Sequence, residues 1–173
     1  MRQWSVREAS HRDVARLALV GGATFLETFA GILDGAAIVA HCQREHCAEA
    51  YDNYLAAGAS AWLAETEVGS APIGFALLAK PDLAVAEPEK DLELKRIYAL
   101  SRYHGTGVGP ALMQRAVARA TETEASRLLL GVYAGNARAL AFYARSGFEP
   151  VAERRFRVGG KEYDDIVLAK QLA

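Results

Sequence analysis

At 173 residues the chain has the length of one domain, and a domain of this size buries roughly 70% of its unfolded surface. Its residues are 51% hydrophobic and 24% charged, with a formal net charge of -1, which excludes a disordered polar tail and argues against nucleic acid as a partner. Met1 to Asp13 is charged throughout, and no apolar run approaches the roughly 20 residues that span a bilayer, so a soluble cytoplasmic domain covering 1–173 is expected, with no membrane partner.

In chain order, Trp4 to Glu8 reads as a first strand. Ser10 with Asp13 three residues later forms a helix-start pattern before the stripe Val14, Leu17, Ala18 and Gly21. Phe25, Phe29, Ile32 and Leu33 continue helical spacing, and Cys47, Tyr51, Tyr54 and Leu55 form a further stripe that stops before Gly58. These two helices are expected to form a flap. Ala61 to Glu65 and Ile73 to Ala79 are short apolar runs on either side of a turn at Gly69 to Pro72, the pattern of a hairpin.

Pro81 to Lys90 lacks periodicity and reads as a loop before the strand Leu92 to Leu100. After the turn Gly105 to Gly109, a helix is marked by Met113, Ala116, Val117 and Ala120, and a strand by Leu128 to Tyr133. Asn136 stands at a helix start before Ala137, Leu140, Ala141 and Ala144; Gly147 suits a left-handed cap, and Gly159-Gly160 a hairpin turn. With no internal repeat, the expected fold is α/β, or α+β in stricter usage: a mixed, partly parallel central sheet of about six or seven strands flanked by about four or five helices.

The two cysteines, Cys42 and Cys47, would lie about 7.5 Å apart along one helix, too far for an unstrained disulfide, so reduced thiols are expected. His41, Cys42, His46 and Cys47 resemble metal ligands only superficially. Just Cys42 and His46 share a helix face, and no second ligand pair has matching spacing, so no metal is expected.

The run His104-Gly105-Thr106-Gly107-Val108-Gly109 places three glycines within five residues at a strand-to-helix junction, where free amides and the helix dipole attract phosphate. A P-loop is disfavoured because Pro110-Ala111 follows the glycines in place of Lys-Ser or Lys-Thr, and the dinucleotide fingerprint fails because its third glycine would fall on Pro110. A turn without a ligand needs no more than one left-handed residue, so three glycines suggest more than a turn.

The run Ile97 to Gly109 followed by a helix resembles motif A of the GNAT acetyltransferases, with His104 at the position usually held by Gln or Arg. Asn136, Phe142-Tyr143 and Gly147-Phe148 resemble motif B of the same family. The resemblance implies a GNAT-like fold with acetyl-CoA as cosubstrate, its pyrophosphate held by the amides of residues 104–109. It also implies that a backbone N–H of Ile97, Tyr98 or Ala99, where the fourth strand splays from the fifth, serves the oxyanion. A bulge there would expose that donor.

Helical spacing puts Asn136 and Tyr143 two turns apart on nearly one face, so both can address one ligand, although an N-cap and a core aromatic are the alternatives. Tyr143, neutral at working pH, suits a general acid for the leaving thiolate. Glu93 is the candidate base, with an ion pair to Lys95 or Arg96 as its competing role. Neither cysteine has an activating triad, so direct attack is expected. Trp62, Phe25 and Phe29 are acceptor-contact candidates with ordinary core as the alternative, and Asp164-Asp165 could attract a cationic substrate if one carboxylate points inward, strand alternation turning the other to solvent.

Leu94 to Tyr98, Leu130 to Tyr133 and Tyr163 to Leu168 are similar to the PaiA-like branch, associated with polyamine acetylation. The implied partner is a small-molecule amine. A protein N-terminus, a lysine or an amino-antibiotic is the alternative acceptor, and a non-catalytic acyl-CoA-binding regulator is the alternative class. Oligomeric state is open, a homodimer included.

Overall fold

The structure, a computed structural model, describes residues 3–172. Strand β1 (Trp4–Glu8) leads into a capping box in which Ser10 and Asp13 satisfy each other's backbone amides, followed by a short 3-10 turn and α1 (Val14–Phe29). Helix α1 stops at Phe29 because Gly31 takes a left-handed φ of 84°. Ile32 and Leu33 therefore lie beyond the helix that their spacing had suggested.

Two separate helices follow where one was expected. Helix α2 (Gly35–Glu45) starts at Asp34, whose carboxylate accepts the Ala37 N–H, and α3 (Ala48–Ala56) starts after Cys47. Cys47 is thus the residue preceding α3 and not a member of its apolar stripe. Cys42 sits on α2, and both thiols are free.

The remaining elements are β2 (Ser60–Thr66), β3 (Pro72–Ala79), β4 (Asp91–Ala99), α4 (Val108–Glu122), β5 (Arg127–Tyr133), α5 (Ala137–Arg145), β6 (Glu149–Val158) and β7 (Lys161–Gln171). They form a seven-stranded sheet in the order β1-β2-β3-β4-β5-β7-β6. Every neighbouring pair is antiparallel except β4 with β5. The mixed α/β reading holds, with a single parallel pair.

Both sheet faces are buried. Leu112, Met113 and Ala116 of α4 pack with Leu94, Leu128 and Leu130 on one face. Leu17 and Tyr51 pack on Phe75 and Leu77 on the other. Each fully buried Leu contributes roughly 2 kcal/mol of burial. A third cluster joins Phe25 and Phe29 of α1 with Ile38 of α2 and Val158 at the end of β6. There the tip of the β6–β7 hairpin touches α2 so closely that a Cβ on Gly159 would lie 2.5 Å from that of Ala37.

Candidate active site

The parallel register between β4 and β5 runs from Asp91, Leu92 and Glu93 opposite Arg127, Leu128 and Leu129, and then stops. Below the divergence, Asp91 is buried and accepts two bonds from Arg127, at 3.0 and 2.7 Å, plus the Glu87 N–H at 2.7 Å. Those donors hold its carboxyl below the usual range against the opposing effect of burial. Above it, β4 stays on β3 while β5 stays on β7 as far as Tyr133, and the strands part. A cleft of about 760 Å³ opens between residues 94–99 and 131–133.

A bulge does occur on β4, but at Lys95, which is the extra residue between Leu94 opposite Leu78 and Arg96 opposite Leu77. The bulge expected at Ile97 to Ala99 is corrected accordingly: these three keep register with Ala76, Phe75 and Gly74. Their cleft-side backbone groups lack a β5 ladder because of the divergence itself.

At the far end of β4 the chain passes through a 3-10 turn, Ser101–Tyr103, into His104 to Gly109. Gly105 and Gly107 have φ of 78° and 94°, and Gly107 is the residue before α4. Two of the three glycines are therefore accounted for by backbone conformation, more than the one a simple turn needs. Gly109 has no left-handed φ, and a Cβ there would meet Phe142 at 3.4 Å, an ordinary contact, so neither conformation nor packing demands this third glycine.

Among the described residues, the amides of Gly105, Gly107, Val108 and Gly109 donate to no protein carbonyl. Such a set of free donors at a helix start fits a pyrophosphate. Pro110 lies in the first turn of α4, where no intrahelical donor is lost. The Thr106 amide and hydroxyl are turned back to the Tyr103 carbonyl, at 3.3 and 2.6 Å. His104 also points inward to the loop: its Nε2 donates to the Ala99 carbonyl at 2.8 Å.

Helix α5 supplies the opposite wall. Asn136 caps it by accepting the Ala139 N–H at 3.1 Å, so its N-cap role is real, and it lines the cleft as well. Tyr143 lines the same cleft, its ring centroid 5.4 Å from Phe142 and 5.9 Å from Phe148. Burial raises the Tyr143 hydroxyl above its ordinary pKa, and Tyr98 across the cleft adds to the effect, so the neutral acid dominates at neutral pH. Arg138 and Arg145 of α5 also line the cleft, two cations that motif spacing did not single out.

Glu93 is not part of the cleft wall. It is buried, pairs with Lys95 Nζ at 2.8 Å and accepts the Asp82 N–H at 3.1 Å; Lys95 also pairs with Asp82 at 2.8 Å. Desolvation raises the Glu93 carboxyl above its usual range, although Lys95 opposes this. The ion pair weighed against a catalytic role is thus present, and Lys95 is the member of the pair that lines the cleft.

Of the aromatic candidates, Phe29 lines the cleft, whereas Phe25 and Trp62 are core residues in clusters on opposite faces of the sheet. Asp165 points inward, buried and 3.2 Å from Arg154, while Asp164 is exposed. Arg154 lies over Gly131, where a Cβ would come within 2.5 Å of its guanidinium. His41 stacks on Phe25 at 4.2 Å, and His46 Nδ1 shares a 2.8 Å hydrogen bond with the Tyr51 hydroxyl.

Residues 31–148 match the family model described as Acetyltransferase (GNAT) family. An uncharacterised N-acetyltransferase of Mycobacterium tuberculosis is 39% identical over 100 residues, 58% of this chain and 60% of the relative. Another from Lactobacillus delbrueckii subsp. lactis is 35% identical over 81 residues, 47% of each chain. These alignments span roughly half to three fifths of the curated relatives' lengths. The fold is shared with the PaiA N-acetyltransferase of Thermoplasma acidophilum in complex with coenzyme A, with a TM-score of 0.79, 21% identity, and 97% and 98% of the two chains covered. It is shared too with a ribosomal-protein-alanine N-acetyltransferase of Brucella melitensis, with a TM-score of 0.74, 23% identity, and 97% and 99% covered. With a matching family model across most of its length, and with the glycine loop and Tyr143 on one cleft, the chain belongs to the GNAT acetyltransferase family.

Proposed function

We propose that the protein transfers an acetyl group from acetyl-CoA to a primary amine by direct attack. The observation that carries this reading is the shared cleft: the free amides of Gly105, Gly107 and Gly109, the unladdered edge of β4 and Tyr143 all border one space. In this reading the loop amides hold the pyrophosphate, with Arg138 and Arg145 as further cations for the donor's phosphates. Asn136 orients the donor from the start of α5.

The chemistry then divides among named groups. A cleft-facing N–H among Ile97, Tyr98 and Ala99 stabilises the oxyanion as the amine nitrogen bonds to the acyl carbon. Tyr143 donates its proton to the sulfur as the carbon–sulfur bond breaks. The attacking amine must first lose a proton, because an alkylamine of pKa about 10.4 is almost wholly cationic at neutral pH. Glu93, paired with Lys95 behind the wall, is the proposed acceptor through intervening water.

A polyamine is the proposed acceptor class, supported by the similarity of residues 94–98, 130–133 and 163–168 to the PaiA-like branch. The test is acceptor-dependent release of CoA from acetyl-CoA over a panel of polyamines, amino-antibiotics and peptide N-termini. Polyamine-dependent thiol release is expected. Tight acetyl-CoA binding with no thiol release on any acceptor would identify a binding regulator and overturn the reading.

A further inference from the structure

Besides Arg138 and Arg145 of α5, the cleft carries three formally charged side chains: Glu27, Lys95 and Arg96. The two cations are already neutralised. Lys95 sits between Asp82 and Glu93, and Arg96 reaches Glu45 at 3.2 Å while lying over the rings of Tyr51 and Tyr54. Glu27, on the last turn of α1, pairs with no cation among the described residues. Its two oxygens accept the Ser101 N–H at 2.9 Å and the Ser101 hydroxyl at 3.0 Å.

A carboxylate offers about four lone-pair sites, so the two bonds from Ser101 fix its position and leave about two for a ligand. Ile32, exposed, and Phe29, largely buried in the core, line the same cleft. A fixed anion in a cleft that also carries apolar side chains matches one chemistry: a second ammonium separated from the reacting nitrogen by methylenes.

We infer that Glu27 is a specificity-determining residue that holds the distal, non-reacting cation of a diamine or longer polyamine. This rests on the acetyltransferase reading. An acceptor with one nitrogen enters the reaction with nothing to place against Glu27, whereas a diamine gains a charge-assisted hydrogen bond. Because Glu27 is exposed, that contact is sensitive to salt.

The experiment compares kcat/KM for putrescine and for butylamine, with acetyl-CoA affinity measured by calorimetry, in the wild-type protein and in Glu27→Gln. Glutamine keeps an oxygen for Ser101 and has a helix propensity similar to that of glutamate, so the variant removes charge with little change of scaffold. The wild type should favour putrescine, and the putrescine-to-butylamine ratio should fall about fivefold in the variant. Raising ionic strength should erode the preference in the wild type alone, and the Kd for acetyl-CoA should be the same in both. Equal handling of the two amines by the wild type, or an unchanged ratio with weakened acetyl-CoA binding, overturns the role of Glu27 and leaves the acetyltransferase reading standing. Absence of CoA release with every amine overturns both.

Discussion

Burial sets the chemistry available to Tyr143: its ring is fixed among Phe142 and Phe148, and its hydroxyl is kept neutral at the cleft. A phenol in that state is a proton donor and not a charged ligand. Tyr143→Phe should therefore lower kcat by about 10- to 1000-fold while the Kd for acetyl-CoA stays near that of the wild type. Unchanged turnover would remove Tyr143 from the mechanism. His104 acts on the loop in another way, since its 2.8 Å bond to Ala99 ties the 104–109 loop to the end of β4. His104→Ala should weaken acetyl-CoA binding about fivefold, the equivalent of one ordinary hydrogen bond, and His104→Gln should recover most of it because the amide can donate. Titration of the three proteins with acetyl-CoA checks both expectations, and equal affinity in the alanine variant would sink the assignment.

At the scale of elements, what could be read from sequence was whatever depended on near neighbours. The loop 104–109 and the start of α5 are encoded by glycines and an Asn within a few residues of where they act, and the positive φ of Gly105, Gly107 and Gly147 follows from that. Helix α2 was missed because Ile38 is its one buried residue and no apolar stripe announces it. Glu27 was missed for another reason: the contact that fixes it lies 74 residues away, at Ser101. The bulge at Lys95 depends on β3 register, which no local pattern records.

The junction of α2 and α3 carries its own prediction. His46 is buried beside Tyr51 and Arg96, and desolvation, aided by the Arg96 charge, lowers its pKa from 6.5 to about 3. Between those values the unfolded chain binds a proton that the folded chain refuses, so stability should fall as pH drops from about 6.5 toward 3. The slope from this group approaches 1.4 kcal/mol per pH unit within that window. Chemical denaturation of wild type and His46→Gln across the same range should show a shallower dependence in the variant; parallel curves would refute the assignment.

For the molecule as a whole, the cleft exists because one parallel ladder ends after three residue pairs, and Asp91 is the pin at its closed end. Asp91→Ala would leave the Glu87 amide without its acceptor and Arg127 with only the Val85 carbonyl, and should cost about 2–4 kcal/mol of stability by thermal or urea unfolding. Because the lesion lies where β4 and β5 are joined, the acetyl-CoA Kd of the folded fraction should weaken as well. A loss below about 0.5 kcal/mol would mean that the packed strands hold the junction without it.

The touch between Gly159 and Ala37 has a consequence for anyone who would re-engineer the protein. The hairpin tip and α2 come from opposite halves of the chain yet meet with no room for one added methyl, so they form a single interlocking part. Transplanting either segment alone from a relative would import one half of a mismatched joint, and a side chain at 159 would also have to accept a left-handed φ of 59°. Chimeras meant to exchange acceptor preference should carry both segments together.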